Sequence, residues 1–155
     1  MSAAEYDRCQ APFMAVVDGF QHWAYTHPDE AVVGEACDAA WASLWSRFIP
    51  DVDFSGLETV KATGWHRKLH IFQLPFYYIE YGLAQLGAAQ VWANSLTDPA
   101  GALSAYRRAL ALGNTRPLPE LYAAAGARLA FDVDTLGRSV ALIEQTLGNL
   151  AEQIA

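Results

Sequence analysis

Apolar residues recur at helical spacing along most of this chain, and that periodicity limits the fold more than any single motif. Between Tyr6 and Tyr25 they fall at Phe13, Val16, Val17, Phe20, Trp23 and Ala24, on one helical stripe. The pattern returns at Cys37, Trp41, Leu44, Trp45 and Phe48, and ends before Pro50. Near the C-terminus, Leu136, Val140, Ile143, Leu147 and Leu150 keep one face apolar in a helix that starts at Asp132-Val133-Asp134. No two-residue hairpin signal interrupts these runs. The expected fold is all-α: one domain over residues 1–155, with about six helices and short connections.

The breaks between helices carry their own chemistry. Thr26-His27-Pro28-Asp29-Glu30 ends one helix and begins another, because proline suits a first turn and acids favour its dipole. Pro50 to Gly56 is loop. It begins like a calcium loop with Asp51, Asp53 and Ser55, but Ala62 stands where the bidentate Glu belongs, so calcium is rejected. Asp53 or Ser55 is expected to form a cap or turn instead. Leu57 to Leu74 is ambiguous, with His70 to Leu74 able to run extended before Pro75. Pro75 is expected to open a long buried helix to about Asn94. A loop at 96–99, a helix to about Leu112, a turn at 113–117 and a short helix from Leu118 to Ala125 follow.

Composition excludes several functions. The net charge is -7, which argues against a basic nucleic-acid face and against adhesion to an anionic membrane. The apolar stretch Leu74 to Trp92 contains Glu80, Gln85 and Gln90 and falls short of a membrane span. The N-terminus has neither the basic region nor the apolar run of a signal peptide. Cys9 and Cys37 allow one disulfide, but the count favours reduced thiols in a cytoplasmic protein.

Four histidines are present, and His66 and His70 share a face if the segment is helical. The intervening Arg67-Lys68 would repel a metal dication, and no third ligand is nearby, so no metal site is assigned. The densest chemical signal is Leu69-His70-Ile71-Phe72-Gln73-Leu74-Pro75-Phe76-Tyr77-Tyr78-Ile79-Glu80-Tyr81-Gly82. Tyr77 and Tyr78 each lie within a turn of Tyr81, and a phenol is a neutral donor suited to a developing oxyanion. Tyrosines on an apolar helix also serve as packing with wet tips. A segment at 102–110 has the small-and-Leu/Tyr character of a tetratricopeptide helix, without a partner at the repeat spacing.

Leu69 to Trp92 resembles the C-terminal signature region of oligoendopeptidase F, within the thimet-type zinc oligopeptidases. Phe20 to Pro28, Trp65 to His70 and Gly113 to Leu121 match in the same order, so the resemblance covers the chain from about residue 12. It implies an all-α fold with zinc on one wall of a deep channel. The family's cofactor is zinc, bound by His-Glu-x-x-His and a downstream Glu. None of the four histidines here is followed by Glu, so no zinc ligand or general base carries over, and no cofactor is expected on this chain alone. What carries over is the opposite, substrate-gripping wall: His70, Tyr77, Tyr78 and Tyr81, with His66 a weaker candidate. The resemblance implies a truncated or stand-alone C-terminal portion, inactive by itself. A peptide ligand, a complementary peptidase half and self-association are the expected partners. The alternative is a non-enzymatic helical-hairpin module of tetratricopeptide type.

Overall fold

The computed structural model describes the backbone of residues 3–154 and the side chains of residues 12–154. Among these the chain is all-helical, with nine α-helices and one 3-10 turn. Six of the nine correspond to the helices expected from periodicity. The additional three are short: α2 (Pro28–Ala31), α4 (Glu58–Ala62) and α5 (Leu69–Gln73). The chain divides into two compact units, Met1–Gly82 and Leu83–Ala155.

The first unit is built on α1 (Ala3–Thr26) and α3 (Gly34–Phe48). Their stripes meet in a core of Val16, Val17, Phe20, Cys37, Trp41 and Ile49. The aromatic rings pack edge to face: Phe20 on Trp41 at 5.4 Å and Phe13 on Trp45 at 5.5 Å. Such contacts add to the burial of large apolar area. Thr26 closes α1 by donating its hydroxyl to the His22 carbonyl at 2.8 Å. Pro28 starts α2, but Val32 and Val33 break the helix before α3 begins, so the second expected helix is two. After the loop come α4, a 3-10 turn (Thr63–Arg67) and α5. The Trp65 indole donates to Asp38 at 2.7 Å and ties the turn to α3. Asp53 accepts both the amide (2.9 Å) and the hydroxyl (2.6 Å) of Ser55, the turn-forming role expected of it. Cys37 is a buried free thiol that donates to the Ala31 carbonyl, while the side chain of Cys9 lies outside the described residues.

The ambiguity before Pro75 resolves as helix, with His70 in α5, and one expectation is corrected: α6 spans Ile79–Thr97 rather than starting at Pro75. Phe76 has φ 58°, a left-handed conformation that no helix tolerates in its interior. Residues 74–78 therefore turn. α6 is also not the buried helix expected: Gly87 is its one buried residue, and the rest are half-buried or exposed.

The second unit contains the rest of α6, then α7 (Pro99–Leu112), α8 (Leu118–Ala124) and α9 (Val133–Ile154). Asp98 caps α7 by accepting from the Gly101 amide at 2.9 Å. Gly87 lets α8 approach α6: a Cβ there would stand 2.7 Å from the Tyr122 ring, whose hydroxyl donates to the Leu83 carbonyl at 3.0 Å. Gln90 clasps the backbone of Arg128 with both ends of its amide, at 2.9 and 3.0 Å. Asp132 starts α9 by accepting from the Thr135 amide at 2.7 Å. No helix among the described residues is long and apolar enough to cross a membrane.

Candidate functional site

The site is assembled in the first unit by a turn that one buried amide holds in place. Gln21, on α1, is 1% exposed, and its Oε1 accepts the backbone N–H of Phe76 at 3.2 Å. The ring of Phe76 rests against His22 (4.9 Å) and Tyr25 (5.1 Å), also on α1. These contacts hold a left-handed residue that would otherwise be unfavourable. They set where Tyr77 and Tyr78 leave the turn and how α6 presents Tyr81.

The outcome is a cluster of four rings. His70 stacks on Tyr77 at 5.9 Å and meets Tyr78 edge-on at 5.0 Å and Tyr81 at 6.1 Å. Tyr81 in turn contacts Tyr77 at 5.6 Å and Tyr78 at 5.4 Å. Tyr78 also packs on Phe13 at 5.8 Å, which anchors the cluster to the aromatic core. Tyr77 and Tyr81 remain 40% and 43% exposed. The charge and hydrogen bond of Tyr81 raise the Tyr77 phenol above its ordinary pKa, with smaller contributions from burial and Glu80. Tyr77 is thus a neutral hydrogen-bond donor throughout the physiological range.

All four residues singled out in the sequence come together, and the weaker candidate does not join them. His66 turns to Asp38, at 3.8 Å, and to the edge of its neighbour Trp65 at 4.2 Å. The two histidines therefore engage different partners. Among the described residues no three His, Cys, Asp or Glu side chains gather where they could hold a metal ion. This donor set does not fit zinc, which needs at least three protein ligands.

Gln21 is the residue that sequence reasoning missed. It lies 55 positions from its partner. Its one visible signal was a polar residue directly after Phe20 on an apolar helical stripe. A buried amide there must find a hydrogen bond. Only its oxygen does so; its Nε2, like Trp41 Nε1 and Trp45 Nε1, is buried with no hydrogen-bond partner.

The fold is similar to a solved structure of "PZ peptidase A with inhibitor 2". The likeness has a TM-score of 0.82 at 30% identity and covers 93% of this chain and 26% of that one. The chain therefore spans about a quarter of the length of that relative. Peptidase family M3 matches residues 3–139, and this chain belongs to that family. A comparison with curated proteins finds no match.

Proposed function

We propose that the chain acts as the C-terminal portion of an oligoendopeptidase F-like zinc peptidase and forms the wall that grips the substrate peptide. The observation that carries this reading is the convergence of His70, Tyr77, Tyr78 and Tyr81, with Tyr77 and Tyr81 partly exposed. A peptide carbonyl oxygen becomes an oxyanion when its carbon turns tetrahedral, and preorganised donors stabilise it. Tyr77 and Tyr81 would donate from their hydroxyls, and His70 from a ring nitrogen. Tyr78, fixed on Phe13, positions the His70 ring.

Hydrolysis also needs an activated water, which in zinc peptidases the metal supplies. The described side chains of this unit do not fit zinc, so on this reading the hydrolytic step belongs to a complementary peptidase half. By itself the chain binds peptide without cutting it.

Fluorescence anisotropy with a labelled short peptide tests the grip. His70→Ala, Tyr77→Phe and Tyr81→Phe should each weaken binding several-fold, as expected for one lost hydrogen bond of about 1 kcal/mol. Binding that none of the three substitutions alters would refute the assignment. The helical-hairpin alternative predicts that result, because its contacts would not involve these hydroxyls.

A further inference from the structure

A cation stands beside the His–Tyr cluster, and the peptide-gripping reading leaves it unused. Lys68 is half-buried at the start of α5, two residues before His70. Both of its backbone groups are engaged: its amide donates to the Trp65 carbonyl, and its carbonyl accepts from the Ile71 amide, each at 3.0 Å. The side chain therefore leaves from a fixed point. Its Nζ stands 4.4 Å from the centre of the Phe13 ring. The same ring meets Tyr78 at 5.8 Å, and Tyr78 meets His70 and Tyr81. The ammonium is thus one ring away from the cluster.

An ammonium taken partly out of water calls for an opposite charge. Among the described residues no carboxylate lies within ion-pairing distance of Lys68. Asp38, the acid that does approach this turn, accepts from the Trp65 indole at 2.7 Å and faces His66 at 3.8 Å. The neighbouring charge is of the same sign, on Arg67. Partial burial, and then that Arg67 charge, hold the Lys68 ammonium below its ordinary pKa. The face of Phe13 offsets part of the cost. It supplies no lone pairs to the donors of the ammonium, whereas a carboxylate would. We infer that Lys68 binds a carboxylate of the peptide, either its C-terminus or an Asp or Glu side chain, while His70, Tyr77 and Tyr81 hold a carbonyl oxygen. The inference rests on the peptide-binding reading and adds to it a selection by charge. The chain as a whole carries -7, which disfavours anionic ligands, so such a selection has to come from a local cation.

Three labelled peptides of one sequence test it by fluorescence anisotropy on the full chain. The first has a free C-terminal carboxylate and no acidic side chain, the second is its C-terminal amide, and the third is that amide with one internal Glu. At least one of the two acidic peptides should bind about tenfold tighter than the plain amide, as for a hydrogen bond to a charged group. Whichever does so identifies the source of the carboxylate. Lys68→Met keeps an apolar stem on Phe13 and should bring the three peptides to equal affinity, and Lys68→Arg should keep them apart. High salt should narrow the wild-type difference. Equal binding of all three peptides by the wild-type chain would overturn the inference. So would a preference that survives Lys68→Met. If binding in either case still falls with Tyr77→Phe, the grip stands without the carboxylate site. No binding of any of the three peptides would overturn both.

Discussion

The two units of this chain bury different things. In Met1–Gly82 the interior is bulky and aromatic, with Phe20 and Trp41 packed between α1 and α3. In Leu83–Ala155 the buried side chains are small or polar: Ala102, Ala130, Thr135 and Ser139, beside Gly87. Of its large apolar residues, Leu103, Leu110, Leu136 and Leu150 are exposed, while Trp92 and Leu121 are half-buried. Hydrophobic stabilisation follows the apolar area taken out of water. The first unit therefore holds its own fold and can carry a site of fixed geometry. The second is held by close approach and polar clasps.

The largest expected effect breaks the better-packed side. Trp41→Ala empties the centre of the aromatic core and should cost about 3–5 kcal/mol. Four of the five tryptophans lie in the first unit, so denaturation followed by indole fluorescence reports chiefly on it. A loss below about 1 kcal/mol would mean that the core is not where the first unit's stability resides.

Gly87→Ala probes the other side. The new methyl would meet the Tyr122 ring at 2.7 Å, so α6 and α8 must separate. Overpacking of this kind costs about 1–3 kcal/mol. The loss should appear in far-ultraviolet circular dichroism before it appears in indole fluorescence. Simultaneous loss by both probes would mean that the two units unfold as one.

Gln21→Leu keeps the bulk of the side chain and removes the acceptor for the Phe76 amide. A cost of about 1 kcal/mol is expected, together with weaker peptide binding as the turn before Tyr77 loosens. Unchanged binding would show that the rings of His22 and Tyr25 hold Phe76 without it.

The smallest effect contrasts the units by pH. Backbone and side-chain hydrogen bonds from Thr135 lower the Asp132 pKa. Its stabilising contribution is therefore present above the unfolded value of 3.8 and is lost as pH falls through the lowered folded value. Burial raises the Asp18 pKa, partly offset by His22. Its contribution is full below 3.8 and is lost as pH rises through the raised folded value. Acid should thus loosen the start of α9, seen as faster exchange of the Thr135 amide, while easing the strain at Asp18. Asp132→Asn should reduce the first response and Asp18→Asn the second.

The long helices were legible because each has a stripe, and a stripe reports amphipathicity directly. What lies over the stripe is not in the periodicity. Leu136, Val140, Ile143, Leu147 and Leu150 share one apolar face, yet all five are exposed. The start of α6 was misplaced for another reason. Proline at 75 is compatible with a first turn, and nothing local reveals that Phe76 turns left-handed. That conformation rests on Gln21, far away in sequence. The site residues were nevertheless readable, since His70, Tyr77, Tyr78 and Tyr81 sit within one short stretch and the turn brings them together. His66 was separated from them by Asp38, a partner from α3 that spacing alone could not reveal.

The central claim is that this chain grips peptide without the means to cut it. The direct measurement is a quenched fluorescent peptide incubated with the chain and added zinc, with bound metal read in parallel. The account predicts peptide binding, no cleavage and no stoichiometric zinc. Zinc-dependent cleavage that disappears with His66→Ala or His70→Ala would contradict it.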